Sequence, residues 1–215
     1  MKYLSEFIGT FLLVSVVIGS GIMAENLSAG NLGVALLGNT IATGAILYVI
    51  IKMFSPISGA HFNPSVSLVF FIRKEIDLTT LIKFILIQIS SGIIAVFIIH
   101  YIFEIKLFQI STNLRGTWPL LVSEILATSG LILTILLIRK NDESAIAICV
   151  ALFITAGYWF TSSTSFANPA VTIARIFTDT FTGIAPQSVI YFLSGQIIGC
   201  ILGNSIFLLL QNNKR

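Results

Sequence analysis

Charged residues are scarce in this sequence. Only 10% of its 215 residues are Asp, Glu, Lys or Arg, whereas 56% are hydrophobic and the mean hydropathy is +0.99. Soluble domains carry about 25% charged residues, so this chain cannot cover a folded core with a water-compatible surface. The net charge of +3 is small and scattered, which argues against nucleic acid as a partner. The surplus apolar residues are therefore expected to face the lipid bilayer.

Groups that support covalent chemistry or metal binding are also few. The two cysteines, Cys149 and Cys200, lie in long apolar runs, and the two histidines, His61 and His100, are far apart. Disulfide frameworks and thiolate or imidazole metal sites need such residues in clusters. The sequence also lacks a Gly-x-Ser-x-Gly motif and clustered carboxylates. We therefore expect no enzymatic activity, no cofactor and no metal site.

Long apolar runs dominate the chain. A helix needs about 20 residues to cross the hydrocarbon core of a bilayer, and six stretches are long enough: about 4–23, 33–53, 78–101, 119–138, 145–160 and 188–210. Two more, 64–72 and 169–177, hold nine residues each and reach only about half-way across. The sequence predicts an all-α membrane protein with six transmembrane helices and two re-entrant half-helices.

The basic residues are unevenly distributed between the predicted loops. Cytoplasmic loops carry an excess of Lys and Arg, and this bias favours cytoplasmic positions for both termini. With that orientation, nine basic residues lie on the cytoplasmic side: Lys2, Lys52, Arg73, Lys74, Lys83, Arg139, Lys140, Lys214 and Arg215. Only Lys106, Arg115 and Arg175 lie outside.

Three short matches occur in the same order in both halves of the chain. The segment 5–10 (SEFIGT) matches 123–128 (SEILAT), 62–67 (FNPSVS) matches 167–172 (ANPAVT), and Gln88-Ile89 matches Gln196-Ile197. Each half holds three spans, so the second copy must cross the membrane in the opposite direction. We therefore predict one channel domain, 1–215, built from inverted repeats at about 1–103 and 117–211, with the solute path at their interface.

An Asn-Pro pair begins each half-helix. Asn is a favoured helix cap, and Pro is tolerated at the first helical position, so Asn63-Pro64 and Asn168-Pro169 read as helix starts. Two half-helices entering from opposite faces would meet near the midplane by their N-termini. Each end carries about half a positive charge, so the meeting point is expected to repel cations and to offer amide donors to a neutral solute.

These features resemble the aquaporin and aquaglyceroporin family of membrane channels along essentially the whole chain. The resemblance is carried by 6–10, 58–66 (SGAHFNPSV), Gln88, Glu124 and 168–170 (NPA). It implies a bundle of six tilted helices and two half-helices around one pore per subunit, and a homotetramer. It further implies that both Asn side chains donate to the passing solute. The motifs are Asn63-Pro64-Ser65, which departs from the usual Asn-Pro-Ala, and Asn168-Pro169-Ala170.

The selectivity filter departs further from the family pattern. The family places filter residues twenty positions before the first Asn, and twelve before, three before and three after the second. These intervals give Thr43, Ala156, Ser165 and Val171. Water-selective and glycerol-conducting members carry aromatic residues and an Arg there. The resemblance therefore implies a constriction without an aromatic ring, His or Arg, wider and less polar than in either group.

Val171, followed by Arg175 and the segment 178–184 (TDTFTGI), resembles a bacterial branch linked to arsenic resistance. That branch passes neutral trihydroxy arsenic and antimony species, and the likeness implies a bacterial inner membrane. Arg175 would then supply a positive charge at the outer mouth, one helical turn from Val171. Alternatively, Arg175 extends to lipid headgroups or pairs with Asp179.

Three further polar residues are candidates for roles at the pore. Ionisable residues within a membrane span are functional candidates, and Glu6 and Glu124 are such residues. They either relay protons or accept hydrogen bonds from the re-entrant loops, and the resemblance favours the second role. His61, near the cytoplasmic mouth, either lines the pore or titrates as a gate, or it is fixed by hydrogen bonds of the loop.

Together, these features predict a passive channel for small uncharged solutes such as water, glycerol-like polyols and neutral arsenite or antimonite. The alternative is an ion- or proton-coupled secondary transporter, which also uses inverted repeats and broken helices. Such a transporter needs a coupling carboxylate or cation site at the midplane. The neutral Asn63 and Asn168 at that level argue against it.

Overall fold

The computed structural model describes residues 1–212, which contain eight α-helices and no β-strand. The helices are α1 (Lys2–Leu27), α2 (Leu32–Ser58), α3 (Pro64–Ile72), α4 (Leu78–Ile102), α5 (Trp118–Asn141), α6 (Ile146–Phe160), α7 (Pro169–Ala174) and α8 (Val189–Asn212). Six helical segments are long and apolar enough to cross a membrane, the fifth of them α6 together with the 3-10 turn Glu143–Ala145 before it. The predicted fold is thus confirmed. The basic residues Lys214 and Arg215 lie outside the described residues.

The two short helices start where the Asn-Pro pairs predict. Asn63 and Asn168 are the caps of α3 and α7, with extended backbones and side-chain oxygens that accept from the first free amides of the helix. Helix α7 is only six residues long and continues as a 3-10 turn, Arg175–Phe177. Together they occupy the predicted nine residues.

A row of glycines lets α8 lie against α5 at short range. A β-carbon added at Gly195, Gly199 or Gly203 would lie 2.6–2.7 Å from a backbone carbonyl oxygen of α5. Such separations are impossible for a larger side chain, so the two backbones touch directly. Small residues serve this purpose in membrane helix packing, where van der Waals contact replaces the hydrophobic effect.

The half-helices meet at the centre of the bundle. The Asn63 amide nitrogen donates to the Ala167 carbonyl oxygen at 2.7 Å, and the Asn168 amide nitrogen donates to the Phe62 carbonyl oxygen at 2.8 Å. Since each Asn caps its own helix, α3 and α7 run in opposite directions away from this contact. The opposed geometry is the one expected of an inverted repeat.

Candidate pore

A buried carboxylate holds the loop that precedes α3. Glu6 of α1 is fully buried, and its oxygens accept from the Ser58 hydroxyl and from the backbone amides of His61 and Phe62, at 2.6–2.9 Å. Gln88 of α4 donates to the same carboxylate at 2.8 Å. Unpaired backbone amides at membrane depth would be costly, and Glu6 satisfies two of them.

The second half repeats this arrangement. Glu124 of α5 is fully buried and accepts from the amides of Phe166 and Ala167 and from the side chain of Gln196, at 2.7–2.9 Å. Neither Glu6 nor Glu124 is among the residues that line the two cavities described below. The donors that contact the two carboxylates belong to the re-entrant loops and to the side chains of Gln88 and Gln196. These surroundings match the loop-holding role.

The loops that lead to Asn63 and Asn168 contain residues with positive φ angles. Ala60 and Phe62 before the first Asn, and Ser165 and Ala167 before the second, have φ between 46° and 53°. These positions are one and three residues before Asn in both loops. L-residues in this left-handed region cost about 1–3 kcal/mol each, so the hydrogen bonds to the two buried carboxylates also sustain strained backbone.

One continuous cavity of about 580 Å³, here called the inner cavity, passes both Asn residues. Asn63, Asn168 and His61 line it, with walls that are mostly apolar: Leu13, Val17, Leu47, Ile51, Val66, Leu131, Ile135, Val150 and Ile154. One hydrogen of each Asn amino group is used in the cross-loop bond. Because that group carries two hydrogens, one remains for a solute.

His61 both lines the inner cavity and is fixed in place. Its Nδ1 lies 3.0 Å from the Ser67 hydroxyl, and its ring packs against Phe70 and Phe84. The two roles that the sequence left open, pore lining and fixation by the loop, therefore coexist.

Three of the four residues that the family intervals give line the inner cavity, and the fourth does not. Thr43, Ser165 and Val171 line the inner cavity. Ala156 does not: it is exposed on the outer face of α6. Two residues along a helix are a rotation of about 200°, so Tyr158 lies on the opposite face, and it lines the cavity in place of Ala156.

Aromatic rings are therefore present at this level, contrary to expectation. Tyr158 is 5% exposed, and its hydroxyl lies 3.1 Å from the Thr43 hydroxyl. The Phe166 ring also lines the inner cavity. Neither residue has a signal in the sequence that separates it from aromatic residues facing lipid. The expectation of a constriction without an aromatic ring was wrong.

Arg175 lies where the inner cavity ends. It is 3% exposed, its Nε donates to the Thr182 carbonyl oxygen, and its guanidinium carbon is 3.5 Å from the centre of the Phe166 ring. It neither extends to a lipid surface nor pairs with Asp179, which instead accepts from Thr112. The burial of Arg175 therefore contradicts both the extension to lipid headgroups and the pairing with Asp179.

A second cavity, of about 710 Å³, begins on the other side of Arg175 and is here called the vestibule. Arg175 lines both cavities and so stands between them. The other polar residues lining the vestibule are Glu25, Asn26, Asn39, Thr112, Asn113, Arg115, Thr164, Asp179 and Thr180. A solute passing between the cavities must pass the Arg175 guanidinium.

The opposite end of the inner cavity, here called the N-terminal mouth, is lined by Lys52, Arg139, Glu143 and Ser144. The Lys52 ammonium donates to the Ser144 carbonyl oxygen at 3.0 Å. This contact joins α2 to the turn before α6. Basic side chains thus stand at both ends of the cavity.

Glu75 braces the N-terminal mouth through two ion pairs. Its carboxylate lies 2.9 Å from Arg73 and 2.5 Å from Arg139. Partial burial raises the pKa of Glu75, but hydrogen bonds and charge from the two guanidiniums outweigh burial, and the pKa lies below its ordinary value. The loop after α3 is thereby tied to the end of α5.

Comparison with known proteins agrees with this geometry. The family model of the major intrinsic protein matches residues 1–143. The aquaglyceroporin AqpS of Rhizobium meliloti (strain 1021) is 42% identical over 200 residues, covering 93% of this chain and 85% of AqpS. Aquaporin NIP2-1 of Oryza sativa subsp. japonica is 29% identical over 210 residues, covering 94% of this chain and 67% of that protein.

A solved structure is similar as well. The aquaglyceroporin from Plasmodium falciparum matches with a TM-score of 0.72, covering 96% of this chain and 92% of that one. At 20% identity this likeness shows the fold alone. The family model and the extent of the match to AqpS go further: the chain belongs to the major intrinsic protein family of membrane channels.

Proposed function

We propose that the chain is a passive channel for water and small uncharged polyols, and that neutral trihydroxy arsenic and antimony species also pass. The observation that carries this proposal is the pair of cross-bonded Asn side chains on the wall of a continuous cavity. Their remaining N–H groups offer two donors to a solute oxygen. The similarity to AqpS, an aquaglyceroporin, supports polyols as substrates.

The charges along the path favour uncharged solutes over coupled ions. Within residues 1–212, Glu143 at the N-terminal mouth is the one carboxylate that lines the inner cavity. A coupled transporter needs a carboxylate or cation site near the midplane, where this chain has Asn63 and Asn168. The positive ends of two half-helices disfavour cations at that level.

The proposed filter consists of Thr43, Tyr158, Ser165 and Val171, with the Arg175 guanidinium beyond it. Val171 occupies the position where the family usually has Arg, so the positive charge lies one helical turn farther along. A short apolar side chain at that position leaves more room for a polyol, while Arg175 retains a donor for its hydroxyl oxygens.

We further propose that the N-terminal mouth faces the cytoplasm of a bacterium, with both termini inside and the two repeats, about 1–103 and 117–211, forming one channel domain. The clustering of Lys2, Lys52, Arg73 and Arg139 at that end supports this orientation. A homotetramer in the inner membrane is the assembly that the family resemblance implies. Exposed apolar side chains on the long helices, among them Leu86, Leu126 and Leu209, suit contact with lipid or a neighbouring subunit.

The test is solute flux into proteoliposomes. Vesicles shrunk osmotically with glycerol should re-swell faster than protein-free vesicles, without a Na⁺ or proton gradient. Val171→Arg should slow glycerol relative to water, because it narrows the filter, whereas Val171→Leu adds bulk without charge and should slow it less. Equal rates with and without protein, or flux that requires an ion gradient, would refute the proposal. The same vesicles report whether the trihydroxy arsenic species passes.

A further inference from the structure

Two arginines share one aromatic ring at the base of the vestibule. The guanidinium carbon of Arg175 lies 3.5 Å from the centre of the Phe166 ring, and that of Arg115 lies 5.1 Å from the same point. Both residues line the vestibule. They come from distant parts of the chain, so the fold brings two positive charges together at one place.

Neither guanidinium has a carboxylate partner. Every ion pair among residues 1–212 involves Glu75, at the other end of the molecule. Arg115 donates only to neutral oxygens, those of the Ser163 carbonyl and the Thr164 hydroxyl. Arg175 is buried and Arg115 partly buried, and like charges placed close together repel each other unless an anion lies in contact with them.

The terminal nitrogens of Arg175 remain available. Its Nε is used by the Thr182 carbonyl, but no hydrogen bond joins its two terminal nitrogens to any described residue. Neither atom is sealed away from the cavities, although the residue is 3% exposed. An almost completely buried side chain thus presents two unused donors to open space.

The acidic residues of the vestibule do not neutralise these arginines. Glu25 and Asp179 are exposed and accept from the backbone amides of Phe181 and Thr112 respectively. Exposed charges are screened by water and salt, whereas the buried Arg175 guanidinium at the base is screened much less. The acids at the rim nonetheless repel a doubly charged anion more strongly than a singly charged one.

We propose that the vestibule binds a small monovalent carboxylate between Arg115 and Arg175. The planar guanidinium fork matches the two oxygens of a carboxylate, and a cavity of about 710 Å³ accommodates an ion of the size of formate or acetate. The bound anion supplies a carboxylate in direct contact with the guanidiniums, which neither has from the described residues. Its oxygens accept from the terminal nitrogens of Arg175, and Arg115, whose guanidinium lies near the same Phe166 ring, adds attraction.

The position of this site has a consequence for flux. Since Arg175 separates the vestibule from the inner cavity, a bound carboxylate stands in the solute path and slows neutral solutes. This consequence depends on the proposed channel function, whereas binding itself does not. The two can therefore be measured separately.

Binding is tested with purified full-length protein in nanodiscs, titrated with formate at constant ionic strength and observed by saturation-transfer NMR. Saturable binding is expected, weakened at least about tenfold by Arg175→Gln and by Arg115→Gln, because a charge-assisted hydrogen bond contributes on that scale. Arg175→Lys keeps the charge and should retain part of the affinity, which guards against a folding defect. Arg73→Gln, at the N-terminal mouth, is the matched control and should bind as the unmodified protein does.

Absence of saturable formate binding, or equal binding by Arg175→Gln, would overturn the proposal. Binding of sulfate in preference to formate would overturn its monovalent character. In proteoliposomes, formate should slow glycerol flux of the unmodified protein but not of Arg115→Gln. Glycerol flux without formate tests the channel function alone, so a failure of either idea is recognisable.

Discussion

Each pore Asn is fixed from two sides before a solute arrives. The side-chain oxygen of Asn63 accepts from the Ser65 amide, while its side-chain amino group donates to the Ala167 carbonyl of the opposite loop. Asn168 is held in the same way by its own helix and by Phe62. A side chain bonded at both ends cannot rotate to follow a passing molecule. In the proposed channel the solute is therefore expected to turn to meet the donors, and little conformational freedom of the protein is lost when it does so.

Tyr158 is expected to limit the size of solutes that pass. It lines the inner cavity with its hydroxyl next to that of Thr43, so Tyr158→Ala removes a ring from the proposed filter. We expect the ratio of erythritol to glycerol flux to rise several-fold in proteoliposomes, since the larger polyol gains more from the added width.

Ala156 provides the matched control for this prediction. It lies two residues away on the same helix but faces outward, so Ala156→Leu alters bulk on the lipid side only. A flux ratio that responds to Ala156→Leu, or that ignores Tyr158→Ala, would show that the helix presents a different face to the pore.

Residues that belong to a recognisable sequence motif could be predicted. Residues whose role depends only on which face of a helix they occupy could not. Asn63 and Asn168 stand out because Asn-Pro marks a helix start at an unusual depth. Ala156 was assigned by a fixed interval, and a difference of two residues in the connection to Asn168 is enough to turn the helix to its other face. The burial of Arg175 could not be foreseen from the sequence. It depends on how the loops before and after α7 fold back and place Phe166 and Thr182 against it.

At the scale of elements, length and capping predicted the half-helices. A nine-residue apolar stretch after Asn cannot cross a bilayer, and both such stretches lie where expected. The contact between α5 and α8 was less accessible to prediction. Glycines indicate that helices approach closely, but they do not indicate which helix is the partner.

Gly199 tests that contact. A β-carbon there would lie 2.7 Å from the Ile125 carbonyl oxygen and 2.9 Å from the Thr128 β-carbon, so Gly199→Leu forces the helices apart. Overpacking of this kind costs about 1–3 kcal/mol. We expect a lower thermal unfolding midpoint for the detergent-purified protein.

Ser205→Leu is the control, because Ser205 is exposed on the same helix and the added bulk meets lipid or detergent. If both variants unfold at the same temperature as the unmodified protein, α8 does not pack against α5 through its glycines.

At the scale of the whole molecule, the positive charges divide between the two ends of the path. Lys52 and Arg139 line the N-terminal mouth, and Arg115 and Arg175 lie at the vestibule. The two ends differ in how these charges are held: Arg139 has Glu75 as a partner, whereas the vestibule arginines have none within the described chain. Only the N-terminal mouth is therefore expected to respond to protonation of an ion-paired carboxylate.

Acidification should weaken the N-terminal mouth. The pKa of Glu75 is below its ordinary value of 4.5 in the folded chain, so its contribution to stability is complete above pH 4.5 and is lost as pH falls through the folded pKa. The pair is partly exposed, which limits its contribution to about 1 kcal/mol or less. Glu75→Gln should lower the unfolding midpoint slightly at pH 7.

At pH 3 the difference between Glu75→Gln and the unmodified protein should shrink. Glu104→Gln, exposed near the other end of the molecule, should show no such pattern. A difference between the Glu75 variant and the unmodified protein that persists unchanged into acid would mean that the two ion pairs do not stabilise the fold.

The crossed hydrogen bonds at the midplane also constrain the order of biogenesis. Asn63 donates to a carbonyl 104 residues farther along the chain, which the ribosome reaches roughly 5 to 20 seconds later at ordinary elongation rates. Until then the first re-entrant loop can bond to the Glu6 carboxylate and Asn63 can cap α3, but the Ala167 carbonyl that Asn63 contacts has not been made. Neither half of the protein can complete its own half of the path, so the channel closes around its solute route only when synthesis is nearly finished.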